Sequence, residues 1–541
     1  MLFGQMMNRP LLISSIMTYA AEVHADKEIV TSTVDGLRHR YRYRDAAKRI
    51  AQLAHALVVN GVKPGDRVAT LGWNTYRHFE IYYAVSGIGA ICHTINPRLP
   101  VSQIDFILNH AGDSWLFYDI DLSETVRRSE HIPISPIRLV ALCEETQLAD
   151  IDAPGRATAY EFLLKGMDED YSWPEFDEKM AAGLCYTSGT TGAPKGVLYS
   201  HRSTILHAMS SIIGKVCDFP IDGRILPAVP MFHVNAWGLP YSAPLAGQSL
   251  IMPGPRLDGE RLFRLMDEEL AYSAWGVPTV WQGLLDAMIR HERKPNGLCE
   301  ILVGGSAASG HLIETFEERF DVIVRHAWGM TEMSPVGTSG TLTVEEAMLP
   351  RGERTRLQLR QGRRLFGVDM AIVDDDGIRL PHDGISTGEL IVRGNSVIAS
   401  YFENEDASAA AFDDEGWYRT GDRARITHDG WLTIVDRVKD LIKSGGEWIS
   451  SAELEEAAMR FPGVFACAAI GIPHEKWGER PLLVVKMKAD QTLDIEALRQ
   501  AMSLTLAKWQ LPDQIVIRDD LPMTATGKVS KKDLRLQFTG L

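Results

Sequence analysis

Residues 186–196, Tyr186-Thr187-Ser188-Gly189-Thr190-Thr191-Gly192-Ala193-Pro194-Lys195-Gly196, hold three glycines, four serine or threonine hydroxyls and one lysine. Glycines let backbone N–H groups approach an anion closely, hydroxyls add donors, and the lysine adds charge. Such a loop suits a polyphosphate. Its spacing is not the Walker pattern, in which Gly-Lys-Ser/Thr opens a helix, because Lys195 lies between Pro194 and Gly196. The apolar flanks Gly183-Leu184-Cys185 and Val197-Leu198-Tyr199-Ser200 read as strand, loop, strand. A solvated hairpin loop is the alternative, and the lack of low-complexity sequence around it argues against that.

Further stretches carry donor sets of their own. Phe232-His233-Val234-Asn235-Ala236-Trp237-Gly238 puts a histidine and two aromatics around a small-residue turn, which suits an apolar pocket with one polar gate. On these residues alone, a satisfied core histidine with packing aromatics is the better reading. Leu302-Val303-Gly304-Gly305-Ser306-Ala307 is a strand running into a glycine turn, where backbone can approach a flat ligand. In Ala327-Trp328-Gly329-Met330-Thr331-Glu332 the indole can stack on adenine and Thr331 can donate to phosphate. Glu332 can ligate Mg²⁺, for which one carboxylate plus nucleotide phosphates suffices. Tyr418-Arg419-Thr420-Gly421-Asp422 supplies a carboxylate on what reads as a tight turn, able to accept both ribose hydroxyls. Lys443-Ser444-Gly445-Gly446-Glu447-Trp448 reads as a glycine hairpin. Lys528 follows a Thr-Gly turn and can project from a loop, where its ammonium can offset developing negative charge.

In this order the stretches resemble the motifs of the adenylate-forming superfamily, which includes acyl-CoA synthetases, amino-acid adenylation domains and beetle luciferases. The resemblance covers nearly the whole chain. Met1 to Met7, Tyr82-Tyr83-Ala84-Val85-Ser86-Gly87 and Cys92-His93-Thr94-Ile95-Asn96-Pro97-Arg98-Leu99 further resemble medium-chain fatty-acyl-CoA ligases and 3-(methylthio)propionyl-CoA ligases. This implies an AMP-forming ligase acting on a small carboxylic acid with ATP, Mg²⁺ and CoA. Thr187, Ser188, Gly189, Thr190, Thr191, Gly192 and Lys195 would then hold phosphates, with Thr190 joining Glu332 at the metal. Gly304, Gly305, Ser306, Ala327, Trp328, Gly329, Met330 and Thr331 would contact the adenylate, with Asp422 on its ribose and Arg437 on the ribose or a phosphate. His233 would sit by the carboxylate, and Trp237, Gly305, Trp328, Pro335 and Val336 would shape the acyl pocket. Lys528 matches the family's catalytic lysine. Lys439 and Asp440 mark the hinge, and Lys443, Gly445, Gly446, Glu447 and Trp448 would line the CoA path. Lys531 and Lys532 are expected to be solvated or to contact CoA. The family usually has tyrosine at position 328; tryptophan keeps the stacking but loses the phenol's hydrogen bond. Phe232-His233 offers no counter-charge for a substrate amine, which favours an acid without an α-amino group. A carrier-protein-loading enzyme and a non-catalytic nucleotide-binding homologue are the alternatives.

The elements that must position these residues follow from periodicity. Residues 10–60 read mostly as helix, 67–71 as a buried strand and 78–89 as a helix, and strand–helix alternation continues to about 335. Residues 345–365 read as an exposed connector, and a β-rich texture begins near 366. A helix over 451–461 is capped by Ser450 or Ser451 with Glu453 as capping-box partner, and strands follow at 466–472 and 482–487. With the resemblance, this gives an α/β fold. Its large N-terminal domain of layered sheets and helices spans 1–436, with a β-rich subdomain at 366–436. A small mobile α+β domain spans 437–541 and hinges at Lys439. Net charge is −15, which argues against nucleic acid and against a membrane surface as partners. Cysteines at 92, 143, 185, 217, 299 and 467 form no Cys-x-x-Cys pair and suit a reduced cytoplasmic setting. No apolar run has transmembrane length. Homodimers are common in such families.

Overall fold

A computed structural model describes residues 1–150, 156–187, 194–216, 220, 222–445, 447–488, 491–524 and 527–539. Two seven-stranded sheets form its larger part. One has the strand order Ile323–His326, Glu300–Val303, Ser273–Gly276, Arg224–Pro227, Ser249–Met252, Glu28–Ser32, Arg38–Arg42. The other runs Thr158–Ala159, Arg138–Ala141, Trp115–Tyr118, Arg67–Leu71, Ile91–Thr94, Ala181–Thr187, Lys195–Ser200. Most neighbours are parallel, and their short apolar strands are buried on both faces by helices such as Tyr76–Gly87 and Pro278–His291. Trp275 and Trp281 are fully buried in this layer, and the Trp281 indole donates to Leu302 O at 3.1 Å.

The stretch 10–60 is not mostly helix. Helices Ser14–Val23 and Tyr43–Val59 are separated by the antiparallel pair Glu28–Ser32 and Arg38–Arg42. Ile29, Val30 and Thr31 are β-branched and pair in parallel with Leu250, Ile251 and Met252, partners that local periodicity cannot reveal. The outer strand is charged: Arg40 pairs with Glu28 and Glu269, which blunts this sheet edge.

A six-stranded antiparallel sheet follows, and it begins earlier than the composition suggested. Its strands are Thr338–Ser339, Gly362–Arg364, Trp431–Arg437, Tyr418–Ile426, Gly388–Gly394 and Val368–Val373. The expected exposed connector at 345–365 is therefore wrong. It contains the helices Val344–Ala347 and Arg351–Gln358 and the strand Gly362–Arg364, with Thr355 and Gln358 buried. Two of its arginines are paired with carboxylates, Arg354 with Glu317 and Arg363 with Glu346, which lets basic residues sit in a packed element.

The fourth sheet joins Glu447–Ile449, Ile442–Ser444, Gly478–Met487 and Val464–His474, with Gln514–Ile517 parallel to Gly478–Met487. The helices Ser451–Met459 and Lys531–Thr539 pack on Val464–His474. Ser450 Oγ accepts the Glu453 N–H at 3.1 Å, so the forward half of the expected capping box forms. No helix among the described residues is long and apolar enough to cross a membrane.

Candidate active site

The first sheet's topology explains why distant motifs converge. Strands Ile323–His326, Glu300–Val303, Ser273–Gly276 and Arg224–Pro227 are parallel neighbours in that order. Their carboxyl ends release the segments Ala327–Glu332, Gly304–Ser306, Val277–Thr279 and Pro230–Trp237 side by side. Ligand sites in parallel sheets form beyond such ends, where loops can diverge.

Gly305 has φ +78°, and a Cβ there would lie 3.2 Å from Lys528 Cε and 3.4 Å from Val277 Cγ1. A glycine thus admits both the turn and the lysine. The Lys528 loop is held from across the cleft, because Thr279 Oγ1 donates to Gly527 O at 3.1 Å. Within the loop, Lys528 N donates to Thr524 Oγ1 at 3.1 Å. Burial, with help from the Arg437 cation, pulls the Lys528 ammonium down to about 8, and Asp422 partly opposes that.

Residues 234–237 have an unexpected backbone. Val234, Asn235, Ala236 and Trp237 have φ of 43°, 53°, 47° and 57°, and Gly238 follows at 83°. Each left-handed non-glycine residue costs about 1–2 kcal/mol, so a run of four must be imposed by its surroundings. Pro230 O accepts from His233 N and Ala236 N, and the Cys185 thiol donates to Asn235 Oδ1 at 3.7 Å. Trp237 is thereby laid against Gly304, where an added Cβ would come within 2.8 Å of Trp237 Cη2. Burial and the nearby Lys528 charge push His233 down to about 3, so its imidazole is neutral at pH 7.

Trp328 is 8% exposed, and its Nε1–H donates to Asp422 Oδ2 at 2.8 Å. The loss of a phenol at this position is therefore not the loss of a hydrogen bond. Asp422 lies inside the strand Tyr418–Ile426, not on a tight turn as its sequence suggested. Only Gly421, at φ +69°, supplies turn-like backbone there. Strand pairing sets Asp422 opposite Arg437, and Arg437 Nε meets Asp422 Oδ1 at 3.1 Å.

Glu332 is buried, and burial raises its carboxyl pKa. Tyr401 Oη donates to Glu332 Oε1 at 2.9 Å and lies 3.0 Å from Tyr418 Oη. The same Tyr401 ring carries the Lys195 ammonium 4.8 Å from its centroid. Tyr199 Oη donates to Thr331 O at 2.7 Å, tying the strand Lys195–Ser200 to the Thr331-Glu332 segment. A buried carboxylate held by a phenol, next to a lysine, suits a magnesium nucleotide whose phosphates complete the metal's ligands. Tyr401 carried no signal in the sequence, since a tyrosine after a serine in a loop has no distinctive spacing. Met330 donates its N–H to Pro335 O at 3.0 Å, and Gly329 bridges Val336, so Pro335 and Val336 close over this turn.

Ser188, Gly189, Thr190, Thr191, Gly192 and Gly446 lie outside the described residues. Thr187 and Lys195 are paired across the hairpin at the loop's two ends. Ser306 and Ala327 flank the cleft at the ends of their strands. Lys443, Gly445, Glu447 and Trp448 form an exposed hairpin, with Lys443 Nζ 5.4 Å from the Trp448 ring centroid. In this arrangement Lys528, not that hairpin, abuts Gly305.

The segment expected to be a hinge is more bonded than its sequence implied. Asp436 Oδ2 accepts from Ser451 N at 2.5 Å and from Ser451 Oγ at 2.7 Å. Glu456 Oε1 accepts from Gly310 N at 3.1 Å, at the start of the helix Gly310–Phe320. Arg535 pairs with Asp440 at 2.7 Å, and burial lowers the Lys439 pKa. Lys531 is not solvated: its Nζ lies 2.7 Å from Glu455 Oε1 and 2.6 Å from Ser451 Oγ.

The family model for AMP-binding enzymes matches residues 17–402, and that for the AMP-binding enzyme C-terminal domain matches 453–528. The chain is 46% identical over 540 residues to the 3-methylmercaptopropionyl-CoA ligase of Ruegeria lacuscaerulensis, covering 99% of both chains. It is 44% identical to the medium-chain-fatty-acid–CoA ligase of Ectopseudomonas oleovorans, covering 99% of this chain and 98% of that one. The fold matches a crystal structure of an anthranilate CoA ligase in complex with anthranoyl-AMP, with TM-score 0.86 over 98% of each chain at 22% identity.

Proposed function

This chain belongs to the AMP-binding enzyme family, and we propose that it is an ATP-dependent carboxylate–CoA ligase for short or medium unbranched acids or 3-(methylthio)propionate. The observation that carries the reading is the position of Lys528, held against Gly305 in the cleft that Asp422, Glu332 and His233 also border. In the first half-reaction the acid's carboxylate oxygen attacks the α-phosphorus of ATP. The bond to the bridging oxygen breaks, and pyrophosphate leaves. Lys528 balances negative charge on the carboxylate and the α-phosphate as they approach, and positioning supplies most of the remaining rate. Lys195 and the 187–192 loop hold the outer phosphates, and Asp422 receives the ribose. Glu332 and Thr190 would hold Mg²⁺, which supplies charge neutralisation on the phosphates. Neutral His233 and the wall of Trp237, Gly304 and Val336 receive the acyl group without offering an ion partner for an amine.

In the second half-reaction the CoA thiol sulfur attacks the acyl carbon, its proton leaves, and AMP departs. Lys528 and a pantetheine arm cannot share one cleft, so the 437–541 domain turns about Lys439 between the steps. The contacts Asp436–Ser451, Glu456–Gly310 and Thr279–Gly527 all belong to the adenylate-forming arrangement. After rotation the hairpin Lys443–Trp448 would face the cleft. A pocket for a thioether discriminates weakly against one for a methylene chain, so the two acid classes are close competitors. A cytoplasmic homodimer is the setting this reading favours, and light scattering tests the assembly.

The test measures AMP and acyl-CoA formation with Mg-ATP and CoA, from propionate to decanoate and with 3-(methylthio)propionate. Lys528→Ala is assayed alongside. Turnover with any of these acids and its loss in Lys528→Ala is the expected result. Undiminished turnover in Lys528→Ala refutes the assigned mechanism.

A further inference from the structure

The Trp328–Asp422 contact has a role that neither stacking nor ribose binding requires. Trp328 is fixed as a unit. Its N donates to Thr338 Oγ1 at 3.0 Å, and its O accepts from Gly337 N at 2.9 Å and Thr338 N at 3.1 Å. Space for the indole comes from Gly337, where a Cβ would lie 3.0 Å from Trp328 Cζ3 and 2.6 Å from Met333 Cε. Asp422 is fixed from its own side as well. Its N donates to Thr420 Oγ1 at 3.1 Å, and that hydroxyl donates to Leu390 O at 2.7 Å. The two carboxylate oxygens then have separate donors, Trp328 on Oδ2 and Arg437 on Oδ1.

We propose that Trp328 is a positioning residue, whose indole N–H locks the Asp422 carboxylate in the plane that reads the ribose hydroxyls of the nucleotide. The proposal rests on the assignment of Asp422 to the ribose. An ionised carboxylate has about four acceptor sites, so two bonds to protein leave two for a pair of vicinal hydroxyls. An indole N–H only donates, so it fixes the carboxylate as acceptor, whereas a hydroxyl could rotate to either role. With Asp422 3% exposed, water competes little for these sites, and charge-assisted bonds gain strength. Without the Oδ2 donor the carboxylate turns about its Cβ–Cγ bond around the single Arg437 contact. It still attracts the nucleotide's sugar but no longer distinguishes two hydroxyls from one.

The experiment is calorimetric binding of AMP, 2′-deoxy-AMP and 3′-deoxy-AMP to the full-length protein, which needs no turnover. The forms compared are the native protein, Trp328→Phe, Asp422→Ala, and a protein with β-benzothienylalanine placed at 328. That last residue keeps the indole's shape with sulfur in place of N–H, so it serves if Trp328→Phe does not fold. The native protein is expected to prefer AMP over both deoxynucleotides at least tenfold. Trp328→Phe and the thienyl form should lose at least threefold of that preference, weakening AMP more than the deoxy forms. Equal weakening of all three nucleotides, or an unchanged preference, overturns the proposal and leaves Trp328 a stacking residue. If Asp422→Ala binds AMP and its deoxy forms as the native protein does, the ribose assignment itself fails, and the proposal falls with it. Selective loss of AMP in Asp422→Ala, with the preference intact at 328, overturns the proposal alone.

Discussion

The Lys528 ammonium should set the alkaline limit of catalysis. Its pKa falls from 10.5 to about 8, because docking strips it of water and brings Arg437 close. With a pKa of about 8, roughly nine-tenths of the protein is protonated there at pH 7 and roughly one-tenth at pH 9. Since kcat/KM reports the free enzyme, kcat/KM for ATP should fall about tenfold between those values. A lysine at its ordinary pKa would lose only a few per cent. Bound phosphates favour the charged form, so the limb in kcat should lie at higher pH than the limb in kcat/KM. Lys528→Arg is slower but stays charged, so its profile should be flat over this range. The linkage has the opposite sign. With the docked pKa depressed, the undocked lysine binds more protons between about 8 and 10.5, so docking tightens as pH rises through that window. Below pH 8 the lysine opposes docking by at most about 3 kcal/mol, and by less because the side chain is only partly buried. Proteolysis of the 437–443 linker against pH reads that term, and cleavage should slow as pH rises. A limb that persists in Lys528→Arg, or an apparent pKa above 10, refutes the reasoning.

Three further outcomes follow from the contacts. Glu456→Ala and Asp436→Ala should each slow pyrophosphate release about threefold to tenfold, as loss of one or two hydrogen bonds to a charged group shifts domain closure. Thioester formation from supplied acyl-adenylate should not slow, and equal slowing of both half-reactions would show the contacts are merely structural. Tyr401→Phe keeps the ring under Lys195 but removes the bond to Glu332, so the apparent KM for Mg-ATP should rise about tenfold, as read by the magnesium dependence of AMP formation. Trp237→Ala removes the indole that covers Gly304, so the preferred acid in a chain-length series should lengthen by several carbons. An unchanged chain-length optimum would place the acyl group elsewhere.

What could be read from the sequence was chemistry that is local in the chain. The strand ending in Gly304-Gly305, the strand–loop–strand about Lys195 and the Thr331-Glu332 pair each announce themselves within a dozen residues, because a glycine turn or an alternating apolar run is a short-range property. The hairpin at 28–42 did not, since its stabilising partners are 221 residues away in Ser249–Met252. The left-handed run 234–237 did not either. Valine and tryptophan are poor candidates for positive φ, and the bonds from Cys185 to Asn235 and from His233 and Ala236 to Pro230 are non-local or irregular contacts that no sequence pattern announces. Tyr401 and Thr279 join the site through packing alone. Position 328 illustrates the boundary most sharply. From the sequence, tryptophan in place of tyrosine is a side chain that has lost a hydroxyl. In the fold, its N–H meets a carboxylate 94 residues further on, and a glycine nine positions away makes room for the larger ring. A substitution's chemistry can thus be named from the residue, but its sign depends on which non-local partner the sheet order brings within 3 Å. Sites assembled from several strand ends conceal their pairings for this reason, even where each motif is plain.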